Sequence, residues 1–202
     1  EVAGADRYIT LDLHAGQIQG FFSVPGDVLT AFHLLLNYVN SIKHKMQSPV
    51  VVTADLGFAK KGRNFAAGIN APLAFIEKRR IANDAKAEAL TIIGEVSGRD
   101  CVLVDEEIDT GGTMAQAVNL LKENGARNIY MIFVHAVFSR NASERLAALP
   151  VTEFITTDSI PMPEEKRVFF GERLKILSVA SLLGEVILRA NEGRSVGEMF
   201  NE

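Results

Sequence analysis

Four carboxylates lie directly ahead of a glycine-rich turn in the segment VLVDEEIDTGGTM, which runs from Val102 to Met114. They belong to Asp105, Glu106, Glu107 and Asp109. Carboxylates at such close spacing repel one another and contribute nothing to a hydrophobic core. The pattern therefore predicts that a ligand from outside the chain compensates their charge.

The same segment has the order of elements found where ligands bind in open α/β sheets. The apolar run Val102 to Val104 predicts a strand, and a helix is predicted to begin near Met114. Ligands bind at the carboxyl ends of the strands in such sheets. Gly111 and Gly112 let the backbone approach a ligand closely, and the free N–H groups of the helix start favour a phosphate.

Asp105, Glu106 and Asp109 lie at the rim of this predicted site. Their carboxylates could accept hydrogen bonds from sugar hydroxyls or hold Mg²⁺. A phosphate with hydroxyl groups beside it describes a ribose 5-phosphate. The residues predicted to bind its phosphate are Thr110, Gly111, Gly112 and Thr113. The alternative is an acidic strand-to-helix turn with a capping threonine.

The elements that must position this site alternate along the chain between strand-like and helix-like segments. The predicted strands are Tyr8 to Leu11, Pro49 to Val52, Leu73 to Ile76, Cys101 to Val104, Ile129 to Val134 and Phe154 to Thr156. The predicted helices are Val28 to His44, Gly62 to Ile69, Met114 to Asn124 and Leu177 to Ala190. This alternation predicts α/β units around a mainly parallel sheet.

The composition excludes several classes of function. The 202 residues are 48% hydrophobic, enough for a substantial core, and their net charge of −4 provides no basic field for nucleic acid. The one cysteine, Cys101, lies in an apolar run, which indicates a packed strand residue in a reducing compartment. No apolar run is long enough to cross a bilayer. We predict a soluble, cytoplasmic protein with no membrane or nucleic-acid partner.

The segment around Asp105 resembles the signature that binds phosphoribosyl pyrophosphate (PRPP). Type I phosphoribosyltransferases share this signature with ribose-phosphate pyrophosphokinases, which are also called PRPP synthetases. The resemblance implies type I phosphoribosyltransferase-like domains. Glu106 stands where aspartate is usual, so the charge is kept on an arm that is longer by one methylene. This signature alone does not choose between the two families.

A second segment favours the pyrophosphokinases. The strand before it would bring Asp12 and His14 to one face, where they could hold a metal or a phosphate. A lone histidine is more often a satisfied surface group. However, DLHAGQIQGFF, from Asp12 to Phe22, resembles the DLHxxQIQGFF segment of PRPP synthetases, which phosphoribosyltransferases lack. The resemblance implies that His14, with Asp12, helps to bind Mg·ATP.

Two further segments are similar to this family. Lys78 and Arg80 match the lysine and arginine that open the family's catalytic flexible loop, here Ala82 to Glu88, although such a basic run alone is usually a solvated face. Cations at that place would stabilise charge during phosphoryl transfer. The segment Thr53 to Lys61 is similar to an SPDxGGxxR loop, in which Asp55 matches a second Mg²⁺-associated aspartate. An aspartate beside a glycine is also common in simple turns.

The chain departs from the family pattern at several positions. Ser23 stands where an aspartate is usual, although Asp27 keeps the next acidic position and is assigned to the metal and ATP site. Phe58 replaces a glycine where the backbone should approach phosphate. These changes favour, as an alternative, a catalytically weak subunit with a regulatory or assembly role.

The resemblance also implies a division of the chain. Residues 1–28 are expected to be the remnant of an N-terminal phosphoribosyltransferase-like domain, with residues 177–202 packed back on it. Residues 29–176 are expected to form the C-terminal domain with the ribose 5-phosphate loop. Because most of the first domain is expected to be missing, we predict that this chain alone makes little or no PRPP.

The predicted reaction transfers the β,γ-diphosphoryl group of ATP to the 1-hydroxyl of ribose 5-phosphate, with Mg²⁺ as cofactor and Lys78 and Arg80 as catalytic residues. The expected partners are ATP, ribose 5-phosphate and further copies of the chain, because the family forms dimer-based hexamers. A type I phosphoribosyltransferase is the remaining alternative, since it uses the same loop.

Overall fold

A computed structural model describes residues 1–80 and 88–199, and at residues 79, 80, 88 and 89 it describes the backbone alone. These ranges contain nine strands and six α-helices. The strands are β1 (Tyr8–Leu11), β2 (Gly26–Leu29), β3 (Val50–Thr53), β4 (Leu73–Arg80), β5 (Glu88–Ile93), β6 (Cys101–Ile108), β7 (Ile129–Ala136), β8 (Glu153–Thr157) and β9 (Leu174–Leu177). The helices are α1 (Phe32–Ile42), α2 (Ala59–Gly68), α3 (Gly112–Glu123), α4 (Ala142–Ala147), α5 (Glu164–Arg167) and α6 (Ala180–Glu192). The predicted flexible loop, apart from its last residue Glu88, lies outside the described residues, and so does the side chain of Arg80.

The central sheet contains seven strands in the order β5-β4-β3-β6-β7-β8-β9. Its neighbouring strands are parallel except for β4 and β5, which pair antiparallel. Helices cover both faces: Leu35 of α1 and Phe65 of α2 are buried on one, and Val118 of α3 and Leu146 of α4 on the other. The predicted α/β class with a mainly parallel sheet is confirmed.

Strand β6 lies at the centre of this sheet and carries the acidic motif. Residues Cys101 to Val104 are fully buried because β3 and β7 flank the strand and helices cover both of its faces. Cys101 is buried as predicted, and burial raises the pKa of its thiol to about 12. The strand extends to Ile108 instead of ending at Val104. The first carboxylates of the motif therefore belong to the strand itself.

Two predicted helix starts were wrong because a short strand precedes each helix. The helix expected from Val28 begins at Phe32, since residues 26–29 form β2 and pair with β1. The helix expected from Leu177 begins at Ala180, after β9. Both strands are only four residues long and partly exposed, so their apolar alternation is weak.

Strand β4 is longer than predicted because it forms a hairpin with β5. The sequence predicts a strand that ends at Ile76, but β4 continues to Arg80. Lys78 lies opposite Leu90 in this antiparallel pair. The backbone of Lys78 is therefore fixed by strand pairing.

A separate two-stranded parallel sheet is formed by β1 and β2. Helix α6 covers it, with Val186 packed against Leu29 and with Val196 beyond the helix in the same cluster. Helix α6 has 13 residues, and no helix in the described ranges is both long and apolar enough to cross a membrane. The domain limits given above stay a prediction.

Candidate active site

A pocket of about 860 Å³ lies where β1, β3 and β6 end. The predicted site residues that line it are Asp12, His14, Asp55, Asp105 and Glu106. Three segments that are far apart in sequence thus meet at the carboxyl ends of parallel strands, as expected for a ligand site in an α/β sheet.

The charged form of Asp105 is destabilised within the acidic cluster. The side chain is half-buried, and its Oδ1 accepts a hydrogen bond of 2.8 Å from the backbone N–H of Glu106. Burial, reinforced by the charges of Asp55 and Glu106, raises the pKa of Asp105 to about 7. The repulsion expected from the sequence is therefore present in the fold.

Replacing Asp105 with asparagine is expected to stabilise the protein at high pH. An acid whose pKa is raised in the folded state loses stability as pH rises from its ordinary pKa, 3.8, to its raised pKa, about 7. Asparagine keeps an acceptor for the Glu106 N–H and does not ionise. We expect a gain of about 1–3 kcal/mol in the free energy of unfolding at about pH 8 and none at about pH 4, measured by urea denaturation.

Glu123→Gln is the matched control, because it removes an exposed carboxylate at the end of α3. It should leave the stability nearly unchanged at both pH values. A gain in Asp105→Asn that is equally large at both pH values would show that packing, and not charge, is responsible.

Glu106 is buried at the centre of an ion-pair network. Its Oε1 lies 2.8 Å from Nδ1 of His14, and its Oε2 pairs with Nζ of Lys61 in α2. The ammonium of Lys61 also lies over the rings of Phe32 and Phe58, at 5.9 and 5.5 Å from their centroids. Lys61 is a site residue that the sequence reasoning missed, although it stands at the arginine position of the SPDxGGxxR pattern.

Asp12 is buried and turned toward the start of α1. It has a left-handed backbone, with φ +43°, and its Oδ2 accepts a hydrogen bond of 2.7 Å from the N–H of Ala31. Burial raises the pKa of Asp12, and the hydrogen bond from Ala31 opposes this shift. Nε2 of His135 lies 3.0 and 3.1 Å from the carbonyl oxygens of Leu11 and Asp12, which ties this bend to β7. The assignment of Asp12 to metal and ATP binding stays a prediction.

Asp55 is the first residue of an exposed turn, and Phe58 attaches this turn to the core. The N–H of Phe58 donates a 2.9 Å hydrogen bond to Oδ1 of Asp55, while the Phe58 ring packs against Phe32 at 5.6 Å between centroids. The ring is 7% exposed, whereas residues 55–57 are exposed. The phenylalanine that replaces a glycine is therefore directed into the core, and the backbone of the turn stays accessible.

The Thr110 to Thr113 loop follows β6, and α3 begins at Gly112. Gly111 caps that helix with φ +72°, and a Cβ at this residue would lie 3.0 Å from Cγ of Leu146. Nη1 of Arg145 donates a 3.0 Å hydrogen bond to the carbonyl of Thr110. Helix α4 thus supports the loop from behind.

The phosphate loop from Thr110 to Thr113 is not among the pocket-lining residues described, and three further predicted residues also lie apart from them. Asp27 accepts a 2.7 Å hydrogen bond from Nε of Arg7 and is not among the lining residues described. Asp109 leads into the loop, and its carbonyl accepts a 3.1 Å hydrogen bond from the N–H of Ser139. Lys78 is exposed on β4. Their assigned roles stay predictions.

The donor set of the pocket suits a hard cation. Within the described residues, no group of three or more histidine, cysteine or acidic side chains is arranged to hold a metal ion by itself. Mg²⁺ commonly binds one or two carboxylates and takes its other ligands from substrate phosphates and water. The carboxylates of Asp55 and Asp105 fit this mode, because a cation would offset the burial and the neighbouring negative charges that raise the pKa of Asp105.

The chain thus combines a mainly parallel α/β sheet with an acidic pair on its central strand and a glycine loop after that strand. The family described as phosphoribosyl synthetase-associated domain matches residues 66–201. The chain belongs to this phosphoribosyl synthetase family.

Named relatives agree with this membership. The ribose-phosphate pyrophosphokinase of Nostoc sp. is 47% identical over 98% of this chain and 58% of its own length. That of Caldanaerobacter subterraneus is 46% identical over 98% of this chain and 61% of its own length. The crystal structure of phosphoribosylpyrophosphate synthetase from Mycobacterium smegmatis has a TM-score of 0.86 and 39% identity over 95% of this chain and 61% of that one. The chain thus spans about three fifths of the length of these relatives.

Proposed function

We propose that the protein containing this chain makes PRPP and AMP from ATP and ribose 5-phosphate. The 1-hydroxyl oxygen of the sugar attacks the β-phosphorus of ATP, the bond to the α-phosphate oxygen breaks, and the hydroxyl proton is lost. The observation that carries the proposal is that one pocket joins the Asp12-Leu13-His14 segment to Asp105 and Glu106. The names of the relatives support the same activity.

Ribose 5-phosphate is proposed to bind at the end of β6. The backbone N–H groups from Thr110 to Thr113 would take the phosphate, because they lie at the start of α3, where Gly111 allows the left-handed turn and Gly112 leaves room for a close approach. The carboxylates of Asp105, Glu106 and Asp109 are proposed to orient the ribose.

The nucleotide is proposed to bind on the side of His14, with Asp12, Asp27 and Asp55 as the associated acidic residues. We propose Mg²⁺ as the cofactor, held by Asp55 and Asp105 together with substrate oxygens. When bound, it would neutralise charge on the diphosphate. Lys78 and Arg80 are proposed to stabilise the charge that develops on the transferred group.

Ribose 5-phosphate should bind this chain without ATP, and far more tightly than free ribose. Asp109→Ala should weaken that binding by about 1–3 kcal/mol, because a hydrogen bond between a charged group and the ligand is lost. Isothermal titration calorimetry measures both effects. Asp6→Ala, at an exposed position outside the site, is the control. Equal affinity for ribose and ribose 5-phosphate would remove the basis for the phosphate loop.

Association between copies of the chain is part of the proposal. The 3₁₀ helix Gly16–Phe21 contains no buried residue, and the side chain of Phe21 is 86% exposed. Exposed aromatic side chains are enriched at protein interfaces. We propose a homo-oligomer in the cytoplasm.

A further inference from the structure

His135 joins three parts of the fold that are far apart in sequence. It stands one residue before the end of β7, and its side chain is half-buried. Its Nε2 lies 3.0 Å from the carbonyl oxygen of Leu11 and 3.1 Å from that of Asp12, at the end of β1. Its Nδ1 lies 2.8 Å from Oγ of Ser159, which follows β8. Both ring nitrogens therefore have partners within the chain.

These partners determine which nitrogen of the ring carries the proton. A carbonyl oxygen only accepts hydrogen bonds, so Nε2 must carry the proton and share it between the two carbonyl oxygens. Nδ1 of the neutral ring then accepts from the hydroxyl of Ser159. That hydroxyl can donate to the ring because the carbonyl of Val134, 3.3 Å from it, already accepts hydrogen bonds from Thr156 and Thr157 at 3.2 and 2.9 Å.

The bend at Asp12 has a backbone conformation that its surroundings must maintain. Its φ of +43° is left-handed, which is costly for a residue with a Cβ and persists only where neighbouring contacts hold it. The N–H of Asp12 donates a 2.9 Å hydrogen bond to the carbonyl of Leu29, and its Oδ2 accepts one of 2.7 Å from the N–H of Ala31. The hydrogen bond from His135 adds a connection to the central sheet, because β7 is one of its strands.

The bend directs the following residues of the chain into the pocket. His14 lines the pocket, and so does Asp105 of β6. Strands β6 and β7 are neighbours, and Glu107 pairs with His135 in their ladder. A shift of the bend relative to β7 would therefore change the distance between His14 and Asp105.

We propose that His135 is a positioning residue for the segment from Asp12 to His14. Its Nε2–H holds the bend at a fixed distance from β7, and Ser159 keeps the ring turned toward the bend. The pocket-lining residues described do not include His135, so it acts through the backbone of the bend and not on a ligand. The inference rests on the proposed function only in naming ATP as the ligand on this side of the pocket.

Hydrogen exchange of single backbone N–H groups, followed by NMR in this chain, tests the hold on the bend. The reporters are the N–H groups of Asp12 and Ala31. The N–H of Leu183, which donates a 3.0 Å hydrogen bond in the first turn of α6, is the internal reference. Asparagine at position 135 places a polar group near Nδ1 but none at Nε2. In His135→Asn we therefore expect about fivefold to tenfold faster exchange at both reporters, and no change at Leu183.

His135→Gln is the matched variant, because the amide of glutamine reaches the position of Nε2 and can donate to the same carbonyl oxygens. Its exchange rates should stay close to those of the unsubstituted chain. His44→Asn, at an exposed histidine ahead of β3, is the control and should change neither reporter. Unchanged rates in His135→Asn, equal rates in the two variants, or faster exchange at Leu183 as well would overturn the proposal.

Steady-state kinetics in a full-length protein that contains this chain test whether the bend positions the nucleotide side. His135→Asn should raise KM for ATP by about tenfold and leave KM for ribose 5-phosphate nearly unchanged, and His135→Gln should restore the lower value. A simple loss of folded enzyme lowers the apparent kcat and changes neither KM, so it cannot imitate this result.

Faster exchange at the bend with an unchanged KM for ATP would overturn the positioning role. A full-length protein that makes no PRPP would count against the proposed function. The exchange rates would still decide whether His135 holds the bend, so the two proposals can be judged separately.

Discussion

Replacing Lys78 with alanine is expected to lower kcat by about 10²- to 10³-fold, with a much smaller change in KM. The reason is that its cation is proposed to stabilise charge present mainly in the transition state. Pairing of β4 with β5 fixes the backbone of Lys78, so removing its exposed side chain should leave the strand in place. A coupled assay of AMP release, with ATP and ribose 5-phosphate varied in turn, measures both constants in a full-length protein that contains this chain.

Lys175→Ala is the control for this experiment, because Lys175 is an exposed lysine on β9 of the same sheet. Its kcat should match that of the unsubstituted enzyme. Should Lys78→Ala raise KM alone, Lys78 would be a residue that binds the ground state, and its catalytic assignment would be wrong. Arg80→Ala is expected to behave like Lys78→Ala.

Replacing Gly111 with alanine is expected to lower the free energy of unfolding by about 2–3 kcal/mol and to abolish most ribose 5-phosphate binding. A left-handed backbone costs a residue with a Cβ about 1–2 kcal/mol. The added methyl would also lie 3.0 Å from Cγ of Leu146, so the loop or α4 must shift. Urea denaturation measures the first effect and calorimetry the second.

Substitutions at two other glycines separate the cost of the left-handed backbone from the contact with Leu146 and from the loss of ligand binding. Gly98 has a similar φ of +69° with nothing within 4 Å of an added Cβ, so Gly98→Ala should show the backbone cost alone and leave ligand binding unchanged. An alanine at Gly112 would make only ordinary contacts, the nearest at 3.7 Å, so Gly112→Ala should be nearly as stable as the unsubstituted chain. Its binding of ribose 5-phosphate should nevertheless fall, because the methyl obstructs the phosphate. Unchanged binding in Gly112→Ala would refute a backbone phosphate site at this loop.

The buried strands were predictable, whereas of the strands with little buried surface only β1 was predicted, and β2, β5 and β9 were not. Cys101 to Val104 is apolar at every position because the strand is covered on both faces, and such a run indicates a central parallel strand. In β2 only Leu29 is fully buried, so the segment lacks the contrast that reveals a strand. Strand β2 pairs with β1, and no local sequence pattern specifies this pairing.

Some residues of the site were likewise predictable from the sequence, and others were not. Asp105, Glu106 and the loop after them are contiguous in sequence, so their spacing alone predicts an anion site. Lys61 meets Glu106 across 45 positions, and His135 meets Leu11 across 124. Contacts between such distant residues are set by the order of strands in the sheet, which the sequence pattern does not determine.

Because Cys101 is buried, the reactivity of its thiol reports when the central strands separate. Its thiol is fully covered at the start of β6, and its raised pKa leaves little reactive thiolate at neutral pH. A thiol-specific reagent can therefore label it only in molecules whose central strands have separated. Because the sequence contains no other cysteine, the labelling rate follows this single event, and a bound ligand that holds the sheet closed would slow it.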